Sequence, residues 1–130
     1  FDLEFQDDGG VLITGRGVIT VDEANETSAK MNALECERHV PYELCDYSNV
    51  EKFDFLTEDV ERCARIDTAV DRICPDTAVA LVAPSDVAFG MARAWQILVE
   101  LYEDSGITCA VFRTRAEAEE WIHLKMAQRS

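Results

Sequence analysis

Two stretches in the second half of the chain set the reading of the whole. An apolar run from Val79 to Ala83 meets Pro84-Ser85-Asp86 and gives way to helical spacing. A second run, from Ile107 to Phe112, meets Thr114-Arg115-Ala116-Glu117 and does the same. Strand, cap and helix in succession predict an α/β sheet domain. The first half repeats the scheme less regularly. Leu3 and Phe5 alternate with acidic residues, and Asp7-Asp8-Gly9-Gly10 leads into Val11-Leu12-Ile13, which is a hairpin signal. Gly15-Arg16-Gly17 predicts an interruption or bulge in the second strand. Thr20-Val21-Asp22-Glu23 is a capping box that opens a helix reaching Glu37, with Ala24, Ser28, Met31 and Leu34 on its inner side.

Pro41 opens a strand through Tyr42, Leu44 and Cys45, expected to end at Asp46-Tyr47-Ser48. A loop through Phe53 and Phe55 then leads to Thr57 as the cap of a second helix. Along that helix Val60, Cys63, Ala64, Ile66, Val70, Ile73 and Cys74 recur at helical spacing, and Pro75 stops it. Its outer face pairs Glu58 with Arg62 and Glu61 with Arg65. A third helix, from Asp86 to about Asp104, is expected to bury Val87, Met91, Ala94, Trp95, Leu98 and Leu101. Its opposite side carries Phe89, Arg93, Gln96 and Glu100, and Gly106 ends it. The last helix docks Ala118, Trp121, Ile122 and Met126. The order β-β-α-β-α-β-α-β-α predicts a mixed sheet of about five strands flanked by four helices, in one domain spanning residues 1–130. Right-handed crossovers make the later strands parallel, and the hairpin supplies a mixed edge.

Charge changes the picture more than composition does. Against 12 basic residues stand 26 acidic ones, a net charge of −14. Such a surface repels a phosphate backbone and an anionic leaflet, so nucleic acid is excluded as a partner. Solubility is the plain reading of the acidity, a basic protein partner the sharper one, and only three lysines against nine arginines keep a salt-adapted host open. No apolar run approaches the ~20 residues of a membrane span. Phe1-Asp2-Leu3-Glu4 is acidic where a signal peptide is basic, and a cytoplasmic location is expected. Cys36, Cys45, Cys63, Cys74 and Cys109 form no C-x-x-C pair and are expected as reduced thiols, mostly core filler. Cys36 and His39 offer two zinc ligands with no second pair, so no metal is expected.

Val79-Ala80-Leu81-Val82-Ala83, then Phe89-Gly90 with Arg93 beyond, then Val111-Phe112-Arg113 followed by Glu117-Ala118 and Trp121, resembles the C-terminal half of the SpoIIAA-like proteins. These belong to the STAS superfamily, named for sulphate transporters and anti-sigma-factor antagonists. The N-terminal half agrees in element order, so the resemblance covers nearly the whole chain. It implies a small cytoplasmic bacterial α/β module, related in shape to phospho-switch proteins and more distantly to CRAL-TRIO lipid carriers. In the anti-sigma-factor antagonists, a serine at the start of the helix after the third strand is phosphorylated. Ser48 and Thr57 are the nearest phospho-acceptor candidates. Asp46-Tyr47-Ser48-Asn49-Val50 stands in place of that family's Asp-Ser-Ser-Gly type motif, and Glu51, Asp54 and Glu58 would repel a phosphate.

Two further candidates come from the third helix. Ser85 and Asp86, with Phe89 and Arg93, mark the carboxyl end of a parallel strand, where α/β sheets place ligands and where free helix amides suit an anion. Ser85 reads equally well as an ordinary N-cap. Phe89, Arg93 and Ile97 fall on one side and have the composition of an interface anchor. The chain contains no G-x-S-x-G, P-loop lysine or dinucleotide loop, and neither catalytic residues nor a cofactor can be chosen. The expectation is a non-enzymatic binding or regulatory module acting through protein–protein contacts, self-associating as a homodimer. The alternative is a carrier for a small apolar or anionic ligand, marked by an internal pocket lined by Phe53, Phe55 and Trp95. An enzyme using Asp46, Ser85 or Arg93 is the remote third.

Overall fold

The computed structural model describes residues 1–71, 77–101 and 108–129. The chain runs β1 (Asp2–Phe5), β2 (Val11–Thr20), α1 (Val21–Glu37), β3 (Tyr42–Asp54), α2 (Thr57–Asp71), β4 (Ala78–Val82), α3 (Asp86–Leu101), β5 (Thr108–Phe112) and α4 (Arg115–Arg129). Among the described residues the strands form one five-stranded sheet in the order β1-β2-β3-β4-β5, with β1 antiparallel at one edge and the rest parallel. The expected mixed sheet and four helices are therefore present. Pro75, Ile73, Cys74, Gly106 and Ile107, and the side chains of Thr57, Ile66 and Val70, lie outside the described residues.

Spatial order equal to chain order has a geometric result. Right-handed crossovers that all step the same way place their helices on the same face. Residues of α1 and α3 accordingly share a core with Val11, Ile13, Cys45, Val79 and Leu81. Only α4, which follows the last strand, returns over the other face, where Ala118 and Ile122 meet Leu12, Leu44, Ala80 and Val82. The strand period of two sorts the residues: Leu44 and Ala80 point one way, and Cys45 and Val79 point the other.

The hairpin is locked by side chains its sequence spells out. Asp8 accepts from the Gly10 amide at 3.0 Å and from the Tyr42 hydroxyl at 2.9 Å. Gly10 must be glycine, because a Cβ there would stand 2.1 Å from the Tyr42 ring. Burial, and then the bond to Asp8, push the Tyr42 hydroxyl up to about 12. Caps appear where expected: Thr20 accepts from the Glu23 amide, Ser85 from that of Ala88 and Thr114 from that of Glu117.

Three expectations are corrected. β3 does not end at Ser48 but continues through Phe53 to Asp54, because β2 pairs with it to its own end, Ile19 against Phe53 and Thr20 against Asp54. The irregularity expected at Gly15-Arg16-Gly17 is real, with register shifts between Thr14 and Arg16 and between Gly17 and Val18, at each of which β3 carries one residue more than β2. Next, α3 is rotated from the expected phase. Ala88, Ala92, Gln96 and Val99 are buried, whereas Val87 and Leu101 are 68% and 72% exposed. The small alanines let the helix sit close to the sheet, and Gln96 is admitted because its amide donates to the Cys109 carbonyl at 3.1 Å. Finally, Arg62 pairs with Asp59 at 3.6 Å rather than with Glu58, while Arg65 and Glu61 pair as expected.

Candidate functional site

Between the sheet and the layer of α1, α2 and α3 lies a cavity of about 150 Å³. Its floor is set by the period of β3. Glu43, Cys45, Tyr47 and Phe53 all have odd numbers and face the same side, and Phe55 follows just past the strand. Its roof is one stripe of α1, in which Ala24, Ser28, Met31 and Glu35 recur every three or four residues. Val60 and Cys63 of α2 and Met91 and Trp95 of α3 close the sides. The pocket marked in advance by Phe53, Phe55 and Trp95 is thus present.

The two ends of this cavity differ chemically. Because α1 runs back against the parallel strands, its first turn lies by the end of β3 and its last turn by the start. Ala24 and Glu35 are eleven residues apart, which is about 16 Å of helix. At the Ala24 end the aromatic rings form an edge-to-face chain: Phe1 to Tyr47 at 6.4 Å, Tyr47 to Phe53 at 5.3 Å and Phe53 to Phe55 at 5.7 Å. At the other end two carboxyl groups meet, Glu35 from α1 and Glu43 from β3. Burial raises the Glu35 carboxyl above its ordinary range, and the hydrogen bond with Glu43 opposes that rise. Thr77, just before β4, is buried and donates to the Val40 carbonyl at 2.8 Å.

Sequence reasoning did not find Glu35 or Glu43. Their signal was positional: Glu35 continues the stripe of Ser28 and Met31, and Glu43 is two residues from Cys45 on the same face of a strand. Acidic residues in so acidic a chain read as solvated until the fold places them.

The other candidates occupy separate places. Ser85, Asp86 and Phe89 do converge, but the junction already holds an internal cation. Arg113, at the end of β5, donates to Asp86 at 2.8 Å and to the Pro84 carbonyl at 3.1 Å, and lies 4.1 Å over the Phe89 ring. Arg93 is not brought to that junction and bonds Gln96 instead. Ser48 is exposed within β3 rather than at a helix start, and its hydroxyl donates to Asp46 at 2.5 Å. The first turn of α2 holds Asp59, which accepts from the Leu56 amide at 2.8 Å; the Thr57 side chain lies outside the described residues. Ile97 is 48% exposed and Arg93 is exposed, but Phe89 is half-buried against the core and does not stand outward as expected. Among the described residues no His, Cys, Asp and Glu side chains group in threes to hold a metal, and no helix is long and apolar enough to cross a membrane.

No family model and no curated protein matches the sequence. Solved structures match by shape. The anti-sigma factor antagonist SpoIIAA in its unphosphorylated form superposes with a TM-score of 0.59 at 16% identity, covering 95% of this chain and 97% of that one. The Bacillus cell fate determinant SpoIIAA in its phosphorylated form gives 0.55 at 18% identity, over 94% and 98%. An uncharacterized DUF3478-family protein with a SpoIIAA-like fold from Shewanella loihica PV-4 gives 0.54 at 11% identity, over 93% and 90%. Identities this low speak for architecture alone. The chain has a SpoIIAA-like fold.

Proposed function

We propose that this chain is a non-enzymatic binding module that holds a small apolar ligand between its sheet and helices α1, α2 and α3. One observation carries the reading: a cavity of about 150 Å³ whose walls are largely apolar and aromatic. Close-packed interiors leave few voids larger than a water molecule. A dry apolar cavity of roughly this size is enough to admit a benzene-sized molecule. The anionic ligand entertained from the sequence is disfavoured, since Glu35 and Glu43 both face the space. A reducing compartment such as the cytoplasm suits the chain, whose cysteines form no C-x-x-C pair.

The test uses tryptophan fluorescence. Trp121 packs on the opposite face, against Phe112 at 5.8 Å, so Trp121→Phe leaves Trp95 at the cavity as the reporter. Titration with phenethyl alcohol is expected to give a saturable change in emission. Ala24→Leu, which extends a half-buried lining residue of α1 into the space, should abolish it while circular dichroism stays unchanged. A response that never saturates, or one that survives the filling substitution, overturns the reading.

A second reading, a regulatory module acting through protein contacts, draws support from the likeness to an anti-sigma factor antagonist and from the outer face of α3. Val87, Gly90, Ala94, Ile97 and Leu101 follow at steps of three and four, and Val87, Ile97 and Leu101 are exposed. That spacing is the seam of a helix pairing, and Arg93 flanks it. If copies associate there, Val87→Glu with Ile97→Glu should give a folded monomer by light scattering, and a wild type already monomeric at high concentration removes self-association. A phospho-switch at Ser48 draws less support, because the phosphate would face Asp46.

A further inference from the structure

We infer that the cavity selects an aromatic ligand over a saturated one, the ligand's ring lying against the row formed by Tyr47, Phe53 and Phe55. This rests on the ligand-binding reading and adds the chemistry of the ligand's body. Apolar walls admit any small hydrocarbon, and rings discriminate among them.

Three observations converge on an aromatic guest. First, the fold gathers rings at this space from distant parts of the chain. Of six phenylalanines, Phe1, Phe53 and Phe55 line it, together with Tyr47 from β3 and Trp95 from α3. Second, the rings are set as rings attract one another. Tyr47 and Phe53 meet at an interplanar angle of 88°, and Phe53 and Phe55 at 76°. Each pair lays the positive edge of one ring on the negative face of the other. A guest ring continues that alternation, whereas a saturated ring or chain has neither such an edge nor such a face. Third, ring surface is left over. Phe1, Tyr47, Phe53 and Trp95 pack against the buried core yet are themselves only partly buried, and Phe55 is half-buried as well. The row is also held in advance of any ligand. Tyr47 and Phe53 belong to β3, which pairing with β2 keeps extended as far as Asp54. A guest therefore meets rings whose ordering it does not have to impose.

Burial alone ranks ligands the other way. At equal carbon number a saturated compound carries more apolar surface than an aromatic one and gains more from leaving water. The order of affinities thus separates the two effects. The experiment titrates the Trp121→Phe protein with three alcohols of the same carbon number: phenethyl alcohol, the thicker 2-cyclohexylethanol and the slimmer octan-1-ol. Affinities are read from Trp95 emission, and those of the saturated alcohols also by competition with phenethyl alcohol. The aromatic alcohol is expected to bind at least about threefold more tightly than either saturated one. Phe53→Leu, which removes the middle ring of the row, should abolish that preference while the saturated alcohols still bind. Should this variant lose its native circular dichroism, Phe55→Leu is used and must cut the preference by about twofold or more. A saturated alcohol that binds as tightly as phenethyl alcohol, whether the thick or the slim one, overturns the aromatic assignment and leaves the ligand-binding reading standing. A preference that survives loss of the ring also overturns it, by tracing selection to the shape of the space. If none of the three probes saturates, the ligand-binding reading falls with it.

Discussion

At Cys109 burial and two charged neighbours decide the state of one atom. Burial pushes its thiol up to about 12, Glu100 adds to the rise, and Arg93 pulls it partly back. Alkylation proceeds through the thiolate, so the rate climbs with pH through the folded-state value, and raising that value moves the climb to higher pH. Near pH 8, Cys109 should react roughly a thousandfold more slowly than an unperturbed thiol. Iodoacetamide labelling followed by peptide mapping should therefore show exposed Cys36 modified first, with buried Cys45 and Cys63 also slow. Cys109 labelling as fast as Cys36 would contradict its placement. The same neighbourhood shows where sequence reading stops. Thr20, Ser85 and Thr114 were legible as caps, because a cap is satisfied within its own turn. Gln96 was not legible: it is buried to serve a carbonyl on β5, and nothing within α3 announces that need.

Elements were legible in kind and order, and less so in length and phase. The end of β3 was misplaced because Ser48 and Asn49 have turn character, while the partner strand that holds them extended lies some thirty residues back in the chain. The phase of α3 was misread because apolar residues surround most of it, so that periodicity alone does not choose between Val87 with Leu101 and Ala88 with Ala92. α4 is the opposite case: its start was expected at Thr114 and is found there. The Thr114 hydroxyl accepts from the Glu117 amide at 3.3 Å and donates to the Glu117 carboxylate at 2.9 Å. Thr114→Ala should cost about 1 kcal/mol, lowering the melting temperature by about 4 °C. A thermal melt showing no change would mean that α4 is held by Ala118 and Ile122 alone.

Across the molecule, the excess of acid outweighs the ion pairs. Pairs such as Arg16 with Asp2 at 3.1 Å and Lys30 with Glu26 at 3.4 Å are exposed, and exposed pairs contribute little. A net charge of −14 repels itself over the whole surface. Salt screens both effects, and the larger one decides the sign. Raising sodium chloride from roughly 0.02 to roughly 0.5 M should raise the melting temperature; a fall would show that the ion pairs dominate. At this scale sheet topology was the most legible feature, since alternating strands and helices admit few arrangements. The cavity was legible through three of its aromatic walls, Phe53, Phe55 and Trp95, but its acid end was not, because two carboxyls 8 positions apart in sequence meet only once α1 has folded back along β3.

Strand order identical to chain order also bears on how the molecule is made. Each strand finds its sheet partner in the segment synthesised just before or after it, so no strand waits for a distant one. Nearby pairing of this sort lowers the entropy cost of assembly and speeds it. On a ribosome, the hairpin and β3 can join before β5 exists, and each crossover helix can settle on the same face as it emerges. The opposite face waits for α4, which leaves the ribosome only after all five strands. Until then Leu12, Leu44, Ala80 and Val82 are without their cover. The nascent chain therefore carries one finished face and one adhesive face, and the arrival of α4 ends that exposure.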